Sequence, residues 1–172
     1  ACACEQAGAG TTRAKARAPA SKSAPERLDL EQVMAALQAA GSEQTRKTCA
    51  RHGVAGPMFG VGFATLKTLY KPIKVDHALA LALSETGNFD ARNLAVKIVV
   101  PARLTPQQLE HGSREPGARM CGNYVAQVAA EGPHARDCVE PWLASGDDSQ
   151  RITGWKLVGR LAMLDEWLDD AW

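Results

Sequence analysis

Apolar residues in this chain recur in short runs at helical spacing, and nearly every run has a capping residue in front and a glycine or proline behind. Leu30, Val33, Met34 and Leu37 form an i, i+3, i+4, i+7 stripe behind Asp29, with Gln32 at the capping-box position and Gly41 at the end. A helix of three turns cannot bury such a stripe alone and is marginal in isolation. The chain is therefore restricted to folds in which each short helix finds its partner surface on a neighbour.

The pattern continues to the end. Ser42 caps EQTRKTCARH, which stops at Gly53, and a loop over 53–62 with four glycines and a proline follows. That loop lacks the Gly-Lys-Ser/Thr ending of a phosphate-cradling turn, which argues against nucleotide binding. FATLKTLYK comes next, with Pro72 expected to close it. Asp76 caps HALALALSET, Gly87 terminates it, and Asn88 caps FDARNLAVKIVV, which stops before Pro101. Thr105, Pro106 and Gln108 supply a cap, a proline at the first helical position and a capping-box partner. ARMCGNYVAQVAAE runs to Gly132, and HARDCVEPWLAS follows Pro133, with Pro141 expected to kink or break it. Asp147 or Asp148 caps SQRITGWKLVGRLAML. No stretch alternates with period two. The predicted class is all-α, a stack of about nine or ten short helices arranged as hairpins.

Composition agrees. The chain has 172 residues, 45% hydrophobic but only 5% aromatic, so Ala and Leu supply most of the apolar surface. We expect one helical domain over residues 29–172 behind a flexible, basic, Ala/Gly/Ser-rich tail over residues 1–28. No apolar run is long enough to span a membrane. Residues 1–29 carry five basic groups and three acids, so of the formal +1 the remainder holds −1. Such a total weighs against a strong nucleic-acid binder.

Cys49, Cys121 and Cys138 sit in helical patterns as small buried hydrophobes, while the Cys2-x-Cys4 pair lacks companion ligands. His52, His77, His111 and His134 share no metal-ligand spacing, and Ser84 and Cys121 lack a readable His–acid arrangement. Trp142 and Trp155 fall on apolar faces and are expected in the core. No metal and no cofactor is implied. The cysteine usage fits an intracellular, reducing compartment. The acid-poor tail resembles an organellar transit remnant, a linker or an expression tag, and an organellar location follows only if Ala1 is a natural N-terminus.

Four stretches taken together resemble the bacterial DNA alkylation-repair glycosylases, which are built from HEAT-like repeats. They are GSEQTRKTCARHGV (41–54), MFGVGFATLKTLYKPIKVDHALALALSETGNFDARNLA (58–95), YVAQVA (124–129) and WLASGDDSQRITGWKLV (142–158), and the likeness runs from about residue 31 to 164. It implies a curved α-solenoid of HEAT-like antiparallel helix pairs. It also implies hydrolysis of the N-glycosidic bond of an alkylated purine in DNA. There an Asp stabilises charge on the deoxyribose, aromatic side chains flank the lesion, and a basic concave face holds phosphates.

Against that pattern, Gly122 falls where the catalytic Asp belongs and Ala118 where an aromatic is expected. Asn123 is adjacent but carries no charge, Asp137 lies a helix away, and Glu115 precedes a Pro-Gly break. The family continues for a further helix pair, whereas this sequence closes on the acidic DEWLDDAW. Arg151 aligns with an Arg that the family directs to the DNA backbone, and Arg92, Lys97 and Arg103 complete the DNA-binding set the resemblance suggests. The favoured reading is a non-catalytic member of the repair fold, a binding or scaffold subunit with protein partners in a larger assembly. The alternatives are an active glycosylase releasing 7-methylguanine or 3-methyladenine, and a DNA-binding protein that does not cut.

Overall fold

Side-chain oxygens start most of the helices where the sequence places them. The computed structural model describes residues 27–114 and 118–164, with the side chains of residues 118–123 outside that description. Among the described residues there are nine α-helices, one 3-10 turn and no strand: α1 Leu30–Ala40, α2 Glu43–Arg51, α3 Phe63–Ile73, α4 His77–Glu85, α5 Phe89–Ile98, α6 Pro106–Arg114, α7 Ala118–Ala130, α8 Ala135–Leu143 and α9 Asp148–Leu164, with the 3-10 turn Pro101–Arg103 after α5. Asp29 and Gln32 form the reciprocal capping box, and Thr105 and Gln108 form another. Asp76 and Asn88 accept from the first backbone N–H groups of α4 and α5. Of the two candidates at α9, Asp147 is the cap, accepting from the Gln150 N–H at 2.9 Å.

Pro72, expected to close α3, and Pro141, expected to kink or break α8, are both carried inside a helix. Pro72 lies in the last turn of α3 and Pro141 in α8, which runs on to Leu143. Each proline is exposed and near its helix end. Losing one hydrogen bond there is cheap, because water reaches the backbone group left over.

The pairs α4/α5, α6/α7 and α8/α9 pack as hairpins, and α3, α5, α7 and α9 stand side by side in one layer. The other layer holds α4, α6 and α8, and α1 closes the N-terminal end against α3, α4 and α5. One core cluster gathers Leu37, Leu66, Leu83, Leu94 and Ile98; a second gathers Leu109, Ala126, Val139, Trp142 and Leu157. Val99 packs against both and joins the two halves.

The glycine-rich loop is held by a buried acid. The Asp90 carboxylate, 1% exposed, accepts from the backbone N–H groups of Phe59 at 2.7 Å, Gly60 at 2.9 Å and Val61 at 2.9 Å. Phe89 N–H donates to the Pro57 carbonyl, Ser42 N–H to the Gly60 carbonyl and the Arg46 guanidinium to the Phe59 carbonyl. Gly60 has φ +78, and a Cβ there would lie 2.5 Å from the Ser42 carbonyl oxygen. The glycines serve this close approach of backbone to backbone.

A second polar node ties the C-terminal half. Glu110 Oε2 accepts from Trp142 Nε1 at 3.1 Å and Oε1 from Arg114, while Gln150 Nε2 donates to Ser113 Oγ at 3.0 Å. Donation from Gln150, then from Arg114 and Trp142, holds the Glu110 carboxyl below the usual carboxylate range despite partial burial.

Asp90→Asn is expected to destabilise the fold by about 3 kcal/mol, since one amide oxygen cannot serve three buried donors. Gly60→Ala should cost a comparable amount, and the double variant less than the sum, because both loosen the same clamp. Urea titration of the three variants checks this. His77 Nδ1 accepts from the Val100 N–H at 3.4 Å, and burial, aided by Arg103, pushes this imidazole below its ordinary value. The unfolded chain then takes the proton first, so stability should fall as pH drops below about 6.5. A His77→Gln variant should show a flatter melting-temperature profile between about pH 7.5 and 5.5.

Candidate nucleic-acid interface

Charge separates by layer. Among the described side chains, the helices α3, α5, α7 and α9 carry Lys67, Lys71, Arg92, Lys97, Arg151, Lys156 and Arg160 against Asp90 and Asp148. Of those two acids, Asp90 is locked inside the loop clamp. The opposite helices α4, α6 and α8 carry Glu85, Glu110, Asp137 and Glu140 against Arg114 and Arg136. A body whose total is slightly negative thus presents one strongly basic layer, the footprint a phosphate backbone requires.

Near the middle of that layer three consecutive helices meet in one cluster. Lys97 on α5 sits with Nζ 4.2 Å from the ring centroid of Tyr124 on α7. Phe63, the first residue of α3, lies against the same tyrosine with ring centroids 6.2 Å apart and planes tilted by 53°. Arg92 borders a small cleft beside Tyr124 together with Ser84, Val96 and Val125. Burial pulls the Lys97 ammonium below the ordinary lysine value; Glu131 opposes that shift and the positive charge of Arg160 adds to it.

The sequence pattern of the DNA alkylation repair enzyme family matches residues 33–114. Among solved structures, the chain is similar to a member of a new family of proteins related to the HEAT-like repeat DNA glycosylases with affinity for branched DNA structures. The two are 32% identical with a TM-score of 0.71, over 84% of this chain and 61% of the other. The chain is thus similar to the HEAT-like repeat relatives of the DNA alkylation repair enzymes, and it shares their all-helical fold. It spans about three-fifths of the length of that relative. Among curated proteins nothing matches.

In this HEAT-like repeat protein the four cations singled out from sequence have different surroundings. Arg92 and Lys97 both lie beside Tyr124. Arg103 is on the 3-10 turn, where its charge bears on His77. Arg151 is turned onto its own helix start, with Nη1 donating to the Ser145 carbonyl and Nη2 paired with Asp148. Ala118, Gly122 and Asn123 belong to α7, but their side-chain surroundings lie outside the described residues, as do Glu115, Cys121, the tail and the acidic DEWLDDAW.

Trp142 is core as expected, but Trp155 is 63% exposed. The buried stripe of α9 runs through Gln150, Thr153, Gly154, Leu157 and Leu161, and residue 155 falls one step off it. Gly154 explains the choice of face, since a Cβ there would come within 3.1 Å of the Trp142 side chain. Cys49 and Cys138 are buried, and burial pushes the Cys138 thiol up to about 11, with Asp137 and Glu110 adding to the shift. They are inert packing groups. Among the described residues no group of three or more His, Cys, Asp or Glu could hold a metal ion, and no helix is long and apolar enough to cross a membrane.

Sequence reasoning passed over Phe63, Tyr124 and Arg160. Nothing local marks them. Their significance comes from helices that are adjacent in space and dozens of residues apart in the chain.

Proposed function

We propose that this protein binds branched DNA through the α3, α5, α7 and α9 layer without excising bases. The segregation of charge between the two layers carries this reading, because a basic layer backed by an acidic one gives a single face that attracts phosphate. The affinity for branched DNA described for the relative at 32% identity supports the same choice of ligand. Base excision would need a fixed anion beside the sugar to stabilise an oxocarbenium-like centre. Gly122 stands where the resemblance calls for that Asp, and Asp90 and Glu110 on neighbouring helices are already committed to internal hydrogen bonds.

The test compares a four-way junction with a linear duplex of equal length across a salt series. Junction binding is expected to be tighter, and to weaken steeply with salt. Lys71→Glu with Lys97→Glu should weaken it by ~10-fold or more, while Arg136→Glu on the opposite layer leaves it unchanged. Equal effects from the two layers, or no binding at low salt, would overturn the reading. Release of 7-methylguanine from alkylated duplex would restore the glycosylase alternative.

A scaffold role in a larger assembly has its own support in the exposed Trp155, which borders a groove of Val139, Pro141, Leu143 and Val158 between α8 and α9. Loss of co-purifying proteins in a Trp155→Ser variant with unchanged DNA affinity would favour it. Native purification as a lone chain would remove it.

A further inference from the structure

Among the described residues, Phe63 and Trp155 are the largely exposed aromatic side chains on the helices of the basic layer; Trp155 borders the groove beside α8, whereas Phe63 stands at the Tyr124–Lys97 cluster. It opens α3 behind Gly62, is 52% exposed, and belongs to none of the three apolar clusters. Its position is nonetheless fixed. The loop before it is clamped through residues 59–61 by Asp90, and the first turn of α3 closes with Leu66 N–H on the Gly62 carbonyl at 2.9 Å. Its ring leans at 53° on Tyr124, so the partner does not cover its flat face as a stacked ring would. Tyr124 in turn carries the Lys97 ammonium 4.2 Å from its ring centroid.

Three properties therefore coincide. A rigidly mounted aromatic face is open to solvent, a second ring braces it, and a cation stands beside the pair inside a layer that already attracts phosphate. Proteins that hold single-stranded nucleic acid combine these elements, an aromatic surface for the base and positive charge for the backbone beside it. A fully paired duplex offers no free base face to such a ring, whereas a strand exchange point or flap does.

We infer that Phe63, braced by Tyr124 and flanked by Lys97, is a stacking platform for an unpaired base at a branch point. This rests on the proposed DNA-binding layer and adds the feature by which the layer tells a branch with unpaired nucleotides from paired DNA. Stacking needs only the π-face that every base has, so the platform is indifferent to sequence. Lys97 has a double task here: it polarises onto the Tyr124 ring in the free protein and meets the phosphate next to the stacked base in the complex.

The experiment uses three DNAs of equal length and salt: a linear duplex, a fully paired four-way junction, and a junction carrying three unpaired nucleotides at the crossing with 2-aminopurine in the middle. Phe63→Ala is suited to the test because the side chain lies outside the core clusters. It should lower affinity for the unpaired junction by ~10-fold or more and leave the paired junction within about twofold. Phe63→Trp should restore the loss. The 2-aminopurine fluorescence should be quenched by the wild type and by Phe63→Trp, but not by Phe63→Ala. An equal loss on paired and unpaired junctions, or quenching that survives Phe63→Ala, would overturn the platform while leaving the DNA-binding layer standing. Failure of the wild type to bind any of the three DNAs would overturn both.

Discussion

The Asp90 carboxylate gripping three successive backbone N–H groups is the contact on which the arrangement of this molecule depends. Residues 53–62 seat Val54, Met58, Phe59 and Val61 against the apolar clusters, but four glycines make the segment costly to order. Asp90 offsets that cost by satisfying Phe59, Gly60 and Val61 at once, from a helix start fixed by Asn88. The clamp sets where α3 begins and how it meets α5. Because Phe63 is the first residue of α3, the same clamp determines that an aromatic ring from one helix can reach Tyr124 two helices along the layer. A structural interaction near the N-terminal end thereby shapes the surface at the middle of the protein.

The C-terminal half rests on a different device. Glu110 joins α6 to Trp142 on α8, while Ser113 and Gln150 join α6 to α9. These polar contacts lie beside a tightly packed α8–α9 pair in which Gly154 allows the Trp142 side chain to approach. Directional bonds of this kind fix the rotation of short helices whose apolar faces alone would permit several registers. The two halves then meet through Val99 and the neighbouring α5 and α7. That junction is also where Lys97 crosses to Tyr124, so the basic layer is continuous across it.

Net charge does not report how charge is divided between the two layers. The sum for the body is close to zero because the cation excess of α3, α5, α7 and α9 is offset in small part by α4, α6 and α8 and mostly by acids elsewhere in the sequence, among them the DEWLDDAW segment. A phosphate backbone responds to the local field of one face, within about 10 Å at moderate salt, and the opposite layer lies largely outside that range. The same argument separates the four arginines and lysines that a linear reading groups together. Lys97 lies over the Tyr124 ring and Arg92 lines a cleft with the same residue, whereas Arg151 spends its guanidinium on Ser145 and Asp148 at the start of its own helix.

The helices follow from local sequence order. Caps at Asp29, Ser42, Asp76, Asn88 and Asp147 act within three residues, and apolar spacing acts within two turns, so both are written in local order. The all-α class and the hairpin pairing followed from that same local information, while the family resemblance rested on the four matching stretches between residues 41 and 158. α3 closes only one residue beyond Pro72 and Pro141 is carried inside α8, because the cost of a proline depends on solvent access at the helix end. Trp155 misled the local reading, since an apolar residue one step off a stripe is exposed only once the neighbouring helix has chosen its face. Tertiary structure alone decided the Asp90 clamp, the meeting of Phe63, Lys97 and Tyr124, and the sorting of charge into two layers. Each of these joins residues roughly thirty or more positions apart, and such contacts come into being only when the helices stack.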